Sequence, residues 1–496
     1  MLLILLLQTN IFSYGNTEVN DYINQLLMES KIPGASVIVI DGNKSQIMTY
    51  GVKGINTEEL VDEETLFELG SNSKAFTALG ILYLEKQGLL SLEDQVNKYI
   101  PDFEMKSYEN QQQNMSQEIK IKHLINHTSG VPFSTLGYIP PDESEEALDK
   151  VVEILKNFQL NAIPGQEFSY VSTNYDILGL VIERVTEEKF EDFIQKNILI
   201  PLGLNNTYLI SNEGYNLNSI AKGHKPFFSK IREYEAPFYR GNAPAAYFVS
   251  NAKDMERWIG IQLGIVDIPD LYKDLIQISH QPDTSVEAHG DYFYGAGWEI
   301  HTNGKYISHG GSNPNFSSMI AFKPDGKLAV CILANVNTTY TGSMALNILN
   351  ILEGKAVEEI TVDMFAAIDM FFSIVALTFF IISCLLIYLI IYAVVAVVNG
   401  YREKKKKGWG RIIATVILTI FTVFLNYMIY SLPETLFGGF PWRAVKVWAP
   451  SSLLVGMILL VITVILLWVY LLIIIHYRKI KNYSIEKLQM QFNKTK

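Results

Sequence analysis

The sequence predicts an α+β domain, an antiparallel sheet with flanking helices and a helical subdomain, followed by three transmembrane helices. Three observations lead there. Strand-like runs occur near residue 40 and again between residues 295 and 334, with helical patterns between them, so the sheet is closed by distant parts of the chain. The last third holds three long uncharged apolar stretches. Charge divides with them: from residue 365 onward there are 14 Lys and Arg against 4 Asp and Glu, leaving 26 against 47 before it.

That division excludes one class of function. A first portion near −21 is repelled by phosphate backbones, which disfavours DNA or RNA as a partner. The two cysteines, Cys331 and Cys384, are too few for a disulfide framework or a zinc cluster, and Cys384 lies inside an apolar run.

Along the chain, Leu2 to Leu7 is a six-residue apolar run with no Lys or Arg before Lys31. A secretory signal has a positive segment and about 7–15 apolar residues, so residues 1–16 read as a poor or truncated export signal. Residues 17–363 form the large acidic domain. Asn20 to Glu29 places Tyr22, Ile23, Leu26 and Leu27 on one helical face, and Pro33-Gly34 stops it. Ala35 to Ile40 and Gln46 to Tyr50 are strands around the turn residues Asp41-Gly42-Asn43. Gly295 to Ile300, Tyr306 to His309, Ser317 to Phe322 and Leu328 to Ala334 read as short strands, with Asp325-Gly326 joining the last pair.

The membrane domain covers 364–480, with helices at about 371–399, 411–431 and 449–475, each long enough to cross about 30 Å of hydrocarbon. Arg402, Lys404 to Lys407 and Arg411 lie between the first two spans, and Arg478, Lys479 and Lys481 follow the third. The loop between spans two and three carries Arg443 and Lys446 with Trp442 and Trp448, which suit an interface. Basic segments stay in the cytoplasm, so the expected topology is a multi-pass protein of the cell membrane. Its acidic domain lies outside, and its C-terminal tail, 481–496, lies inside.

One motif carries chemistry: Phe67-Glu68-Leu69-Gly70-Ser71-Asn72-Ser73-Lys74, followed by the apolar run Ala75 to Leu84. S-x-x-K alone is weak, because Ser219 to Lys222, Ser250 to Lys253 and Ser484 to Lys487 also match. Context separates Ser71. Gly70 gives a tight entry, and the following helix is apolar almost all round, as a buried central helix requires. Lys74 then lies one turn from Ser71 on the same face, where burial disfavours the ammonium and lets the amine help deprotonate the serine.

With this motif, the run Lys122 to Gly130 (KHLINHTSG), Pro201 to Leu204 and Ser250 to Trp258, the chain resembles the serine β-lactamase and penicillin-binding-protein superfamily. The likeness is greatest to its class C β-lactamase-like branch of esterases and D-amino peptidases, and it covers about residues 20–355. The resemblance implies a second motif at Tyr170-Val171-Ser172, with Tyr170 as general base or proton shuttle and Ser172 where the family has Asn. It implies a third motif at His309-Gly310-Gly311, where the glycines let substrate approach and the Ser312 and Ser71 backbone N–H groups form the oxyanion hole. The expected chemistry is acyl transfer through a Ser71 acyl-enzyme, with no metal or organic cofactor. His123 and His127 read as structural.

The order of a class C-like domain and three spans is also the layout of membrane-bound prodrug-activating D-asparaginyl peptidases, such as the colibactin-maturing peptidase. That likeness implies an acylated peptide substrate with an N-acyl-D-Asn leader, its side-chain amide held by Glu68, Ser172 and Asn313, with His224 and Gly311 also lining the site. Asn315 is an alternative to Asn313. The other readings are a cell-wall D-amino-acid carboxypeptidase, esterase or penicillin-binding protein, and a non-catalytic β-lactam or muropeptide sensor. The bilayer is a further expected partner, since an acyl chain gains about 0.8 kcal/mol per buried CH₂. The sequence specifies neither an exporter partner nor an oligomeric state.

Overall fold

The computed structural model describes residues 17–108, 115–209, 219–303, 305–360 and 362–480. The export-signal reading of 1–16, the tail 481–496 and the Ser484 to Lys487 match lie outside the described residues. The chain divides into two compact units. The first comprises residues up to Pro226, Lys230–Ala366 and Gly438–Ala449; the second comprises Phe227–Ser229, Ala367–Phe437 and the residues from Pro450 on.

In the first unit a seven-stranded sheet uses β1 (Gly34–Asp41), β2 (Lys44–Gly51), β3 (Tyr292–Gly295), β4 (Trp298–His301), β5 (Ile307–Asn313), β6 (Phe316–Lys323) and β7 (Leu328–Ala334). Their spatial order is β2-β1-β7-β6-β5-β4-β3, with every pairing antiparallel. The β1–β7 pairing, with Val37 opposite Ile332, joins residues nearly 300 positions apart and closes the sheet.

Strand alternation sorts the core into two layers. Val37, Val39, Val330 and Ile332 pack against α1 (Thr17–Ser30) and α4 (Tyr340–Leu352) through Val19, Ile23, Leu26, Met344 and Ile348. Ile38, Ile40, Cys331 and Leu333 face the other way, toward α2 (Lys74–Lys86), α3 (Thr173–Thr186) and the helical subdomain. There Phe76 packs tilted on Trp258, which stacks on Trp298, at centroid separations of 4.8 and 6.3 Å. Both faces of the sheet's centre are buried, which is why β1 and β7 read as continuous apolar runs.

Two strand expectations change. Gly295 to Ile300 is not one strand: β3 and β4 form a hairpin that turns at Ala296-Gly297, where Gly297 has φ +86°. A Cβ at Gly297 would stand 2.6 Å from the Ala75 Cα, so the turn is also pressed against α2. The strand expected at Tyr306 to His309 runs on through both glycines to Asn313. Backbone pairing with β6, Gly310 opposite Met319 and Gly311 opposite Ser318, outweighs the weak strand preference of glycine.

The second unit holds three long apolar helices, α5 (Met364–Val398), α6 (Trp409–Leu436) and α7 (Ser451–His476), each long and apolar enough to cross a membrane. Polar side chains tie them together: Ser383 and Thr463 hydroxyls at 2.8 Å, and Trp468 Nε1 donating to Thr419 Oγ1 at 3.1 Å. Arg402–Lys404 pairs antiparallel with Tyr477–Lys479, so the basic segments after α5 and α7 meet in one small sheet.

The segment Gly438–Ala449, counted with the membrane domain from hydropathy, belongs instead to the first unit. Its short helix Trp442–Trp448 follows Phe440, whose ring stacks on Phe133 at 5.2 Å and 10°. Arg443 donates to the Tyr138 carbonyl, and Lys225 Nζ donates to the Val447 carbonyl. Phe440 is 5% exposed, which marks a packed residue.

Candidate active site

Ser71 sits on a 3₁₀ turn, Gly70–Ser73, that runs directly into α2. In such a turn residues i and i+3 eclipse, which puts Lys74 squarely beside Ser71. Gly70 is the entry: φ is +53°, and a Cβ there would lie 2.5 Å from the Ser312 backbone nitrogen. The turn is pinned to strand β5 at that contact. Leu69 donates its N–H to the Phe248 carbonyl at 2.8 Å, and its own carbonyl accepts from Ser318 Oγ at 2.6 Å.

Lys74 is completely buried. Its Nζ donates to Ser71 Oγ at 2.9 Å, to Ser172 Oγ at 3.1 Å and to the Ala245 carbonyl at 3.1 Å. Burial lowers its pKa to about 7, opposed by the charge of Asp176. The neutral amine is therefore within reach near neutral pH, and it points at the hydroxyl it would deprotonate. By contrast, Lys253 of the Ser250 match is exposed and paired with Glu64 at 2.6 Å, an ordinary surface ion pair.

Tyr170 completes the cluster. Its ring lies 5.0 Å from Lys74 Nζ and 4.4 Å from the His127 ring. Burial raises the phenol far above its ordinary value, an effect that nearby Ser71 only partly offsets. A phenol that stays protonated cannot take the serine proton but can pass one on, so Tyr170 fits the shuttle and Lys74 the base. His127 is buried and kept neutral, with Nδ1 near the Val171 N–H at 3.3 Å, and it braces the backbone that carries Tyr170.

His309 is buried, its pKa lowered to about 4 by desolvation. Its Nε2 meets the Tyr294 hydroxyl at 3.0 Å, and its ring stands 5.9 Å from that of Tyr170. It is a neutral wall of the site. Ser312 faces outward, its Oγ bonded to Asn337 Oδ1 at 3.0 Å. The two glycines have different roles. Gly311 admits the protein's own Leu69 carbonyl, 2.0 Å from where its Cβ would be, whereas Gly310 is the exposed one, with only Met319 Sδ near, at 3.7 Å.

The expected substrate contacts separate. Asn313 Nδ2 donates to Glu68 Oε2 at 2.5 Å and to the Ala246 carbonyl at 3.0 Å, while its buried Oδ1 has no partner among the described residues. Burial raises Glu68 to about 7. Ser172 is engaged with Lys74. His224 is fully buried, with Nδ1 at 2.8 Å from the Asn335 carbonyl and Nε2 accepting from the Ile55 N–H at 3.3 Å, so both nitrogens are taken. Asn315 donates to the Tyr234 carbonyl at 2.9 Å and packs against Gly223.

Sequence reasoning missed the stretch Asn242 to Phe248, through which the cluster is tied together. The Pro244 carbonyl accepts from Thr77 at 2.6 Å, Ala245 holds Lys74, Ala246 holds Asn313, and Phe248 pairs with Leu69. The available signal was its run of small residues, Ala243-Pro244-Ala245-Ala246, opposite Gly179, whose Cβ would stand 2.3 Å from Pro244. Such residues mark a close backbone approach. Asp176, buried on α3, was also missed.

The arrangement is suited to acyl transfer in two halves. Ser71 Oγ would bond to the substrate carbonyl carbon as Lys74 takes its proton, with the Ser71 and Ser312 N–H groups as candidate oxyanion donors. The leaving group would depart with a proton delivered by Tyr170 and resupplied from Lys74. Water, deprotonated by the same amine, would then break the ester and restore Ser71, the proton passing back to its Oγ.

The comparisons agree with this chemistry. The β-lactamase family model matches residues 19–353. Protein flp of Staphylococcus aureus (strain MRSA252) is 28% identical over 483 residues, covering 94% of this chain and 92% of its own. A β-lactamase of Providencia stuartii is 28% identical over 273 residues, 54% of this chain and 65% of its own. Among solved structures, the octameric penicillin-binding protein homologue of Pyrococcus abyssi has a TM-score of 0.60 at 23% identity, covering 72% of this chain and 81% of its own. A class C β-lactamase has a TM-score of 0.59, also at 23% identity, covering 68% and 97%. With the Ser71–Lys74 pair at the junction of turn and sheet, and a family match over most of the chain, this protein belongs to the β-lactamase family of serine hydrolases.

Proposed function

We propose that the protein is a membrane-anchored peptidase that forms a Ser71 acyl-enzyme and removes an N-acyl-D-amino acid leader, D-Asn, from an exported peptide prodrug. The observation that carries the reading is Asn313. Its Nδ2 is held by Glu68 and Ala246, which fixes the amide and leaves Oδ1 as a buried acceptor with no partner among the described residues. A substrate carboxamide supplies the missing donor, and an unmet buried acceptor is costly enough to select for one.

The three apolar helices support membrane attachment. The pairing of the two basic segments supports a cytoplasmic position for both, and the packing of Gly438–Ala449 within the hydrolase unit supports an outside position for that unit. An acylated substrate would concentrate in the same bilayer.

A second reading keeps the chemistry and changes the substrate to a cell-wall D-amino-acid peptide or ester. It is favoured by Ser172 and His224, whose polar atoms already have partners within the protein. The test is cleavage of matched N-myristoyl-D-Asn and N-myristoyl-L-Asn amides by the detergent-solubilised full chain, with Ser71→Ala as control and a D-Ala-D-Ala peptide alongside. Selective, Ser71-dependent release of acyl-D-Asn is the expected result. Turnover of the D-Ala-D-Ala peptide without acyl-Asn cleavage would move the assignment to cell-wall chemistry.

A further inference from the structure

We propose that Asp176, gripped by Asn242, is the buried counter-charge of Lys74 and a positioning residue for the base. Asp176 lies on α3 one turn beyond Ser172, so the two side chains share a face, and Ser172 Oγ accepts from Lys74 at 3.1 Å. The Asp176 side chain is 0% exposed. With the Asn242 amide turned so that its nitrogen faces the carboxylate, it donates to both Asp176 oxygens, at 3.1 and 3.2 Å. Three residues further on, the Ala245 carbonyl takes another of the Lys74 protons. The Asp176–Asn242 pair thus ties together the two elements between which Lys74 is held.

The surroundings of Lys74 leave this role to Asp176. From the segment before α3 comes Tyr170, and from α3 itself Tyr175, whose ring centroids lie 5.0 and 5.7 Å from Nζ. His127 and His309 face it from the other elements packed around the site, and burial keeps both uncharged at neutral pH. Ser71 is its own neighbour across the turn. Burial lowers Lys74 and the Asp176 charge opposes that; burial likewise raises the Asp176 carboxyl well above its usual range, which Lys74 offsets only in part. Removing the carboxylate leaves an ammonium without a counter-charge, which then gives up its proton at lower pH and is a weaker base once neutral.

The experiment is the second-order rate of Ser71 labelling by a fluorophosphonate, measured against pH on the solubilised full chain and on Asp176→Asn, Asp176→Glu and Asn242→Ala. Fluoride needs no proton to leave, so the rate reads the base. In Asp176→Asn the acid limb is expected to move down by about one pH unit or more, with a plateau at least about tenfold lower. Asp176→Glu restores the limb, and Asn242→Ala moves it in the same direction by less. A limb that stays in place while the amplitude falls would mean a merely structural role and overturn the proposal. Where Asp176→Asn does not fold, Asn242→Ala carries the test by the same criterion. The proposal rests on Ser71 as nucleophile, and a Ser71→Ala chain labelled as fast as the parent rejects that assignment instead.

Discussion

The backbone nitrogen of Ser312 lies 2.5 Å from the point where Gly70 would carry a Cβ. Two separated pieces of chain, the nucleophile's turn and strand β5, therefore meet at a spot that admits only hydrogen on that carbon. Gly70→Ala meets this contact and also a positive φ that costs an L-residue about 1–2 kcal/mol. The expected outcome is loss of fluorophosphonate labelling by at least about 100-fold, the scale of a lost oxyanion donor, with the variant still folded by circular dichroism. Labelling at the parent rate would show that the turn can shift away from Ser312 without consequence.

Lys74 fixes a pH dependence with two signs. Acylation needs the neutral amine, so its rate falls as pH drops through about 7. Stability follows from the same shift. The folded lysine holds fewer protons than the unfolded one between about 7 and 10.5, so this group's contribution rises with pH across that window, and its cost is fully present below it. In an Asp176→Asn background, which leaves no carboxylate without its partner, Lys74→Met should abolish turnover yet unfold at a higher temperature than the chain that keeps the lysine. The gap should be widest below pH 7 and shrink above it. A Met variant less stable than that chain at pH 6 would mean that the hydrogen bonds to Ser71, Ser172 and Ala245 outweigh the desolvation.

Tyr170 is assigned to the leaving group because its phenol stays protonated. Its removal should therefore matter in proportion to how much the leaving group needs a proton. Tyr170→Phe is expected to slow an amide substrate by about 10²–10⁴-fold and a p-nitrophenyl ester by far less, since nitrophenolate leaves unaided. Equal losses on both, measured as kcat/KM, would move Tyr170 to the acylation step beside Lys74.

The parts legible in the sequence were those whose chemistry or periodicity is local. The Ser71 to Lys74 spacing, the apolar run of α2, the short apolar runs of β1 and β7 and the hydropathy of α5 to α7 are each local in the chain. What escaped depended on contacts across the fold. Ala245 and Ala246 act through carbonyls that any residue has, and Asp176 reads as an ordinary helical Asp until the fold buries it on the face it shares with Ser172. Gly311 looked like an opening for substrate, but it is filled by the Leu69 carbonyl, a neighbour more than 240 residues away in sequence. The β3–β4 hairpin was read as one strand because Gly297 signals a turn only weakly without a flanking Asn or Asp.

Glu68 has the opposite titration from Lys74. Burial raises it to about 7, so the folded state holds an extra proton between about 4.5 and 7, and this group's contribution to stability falls as pH rises through that window. Glu68→Gln keeps an oxygen for Asn313 Nδ2 and removes the titration. The variant should gain thermal stability relative to the parent at pH 8 and show no gain at pH 5. A difference independent of pH would mean that Glu68 does not titrate in this range.

Phe440 tests whether the connection between α6 and α7 is structurally part of the hydrolase. Its ring stacks on Phe133, and a Cβ at Gly137 would stand 2.9 Å from it, so it fills a seat on the 3₁₀ helix Phe133–Tyr138. That helix leads to the site: Thr135 Oγ1 meets Thr173 Oγ1 at 2.9 Å, and Thr173 follows Ser172. Phe440→Ala removes a buried ring, at a cost of about 3 kcal/mol. The hydrolase unit of the full chain, followed by loss of fluorophosphonate labelling on heating, is expected to melt several degrees earlier, with labelling at 20 °C slowed only slightly. An unchanged midpoint would mean that Gly438–Ala449 rests on the domain without supporting it, and that the catalytic unit is stabilised wholly by its own sheet and helices.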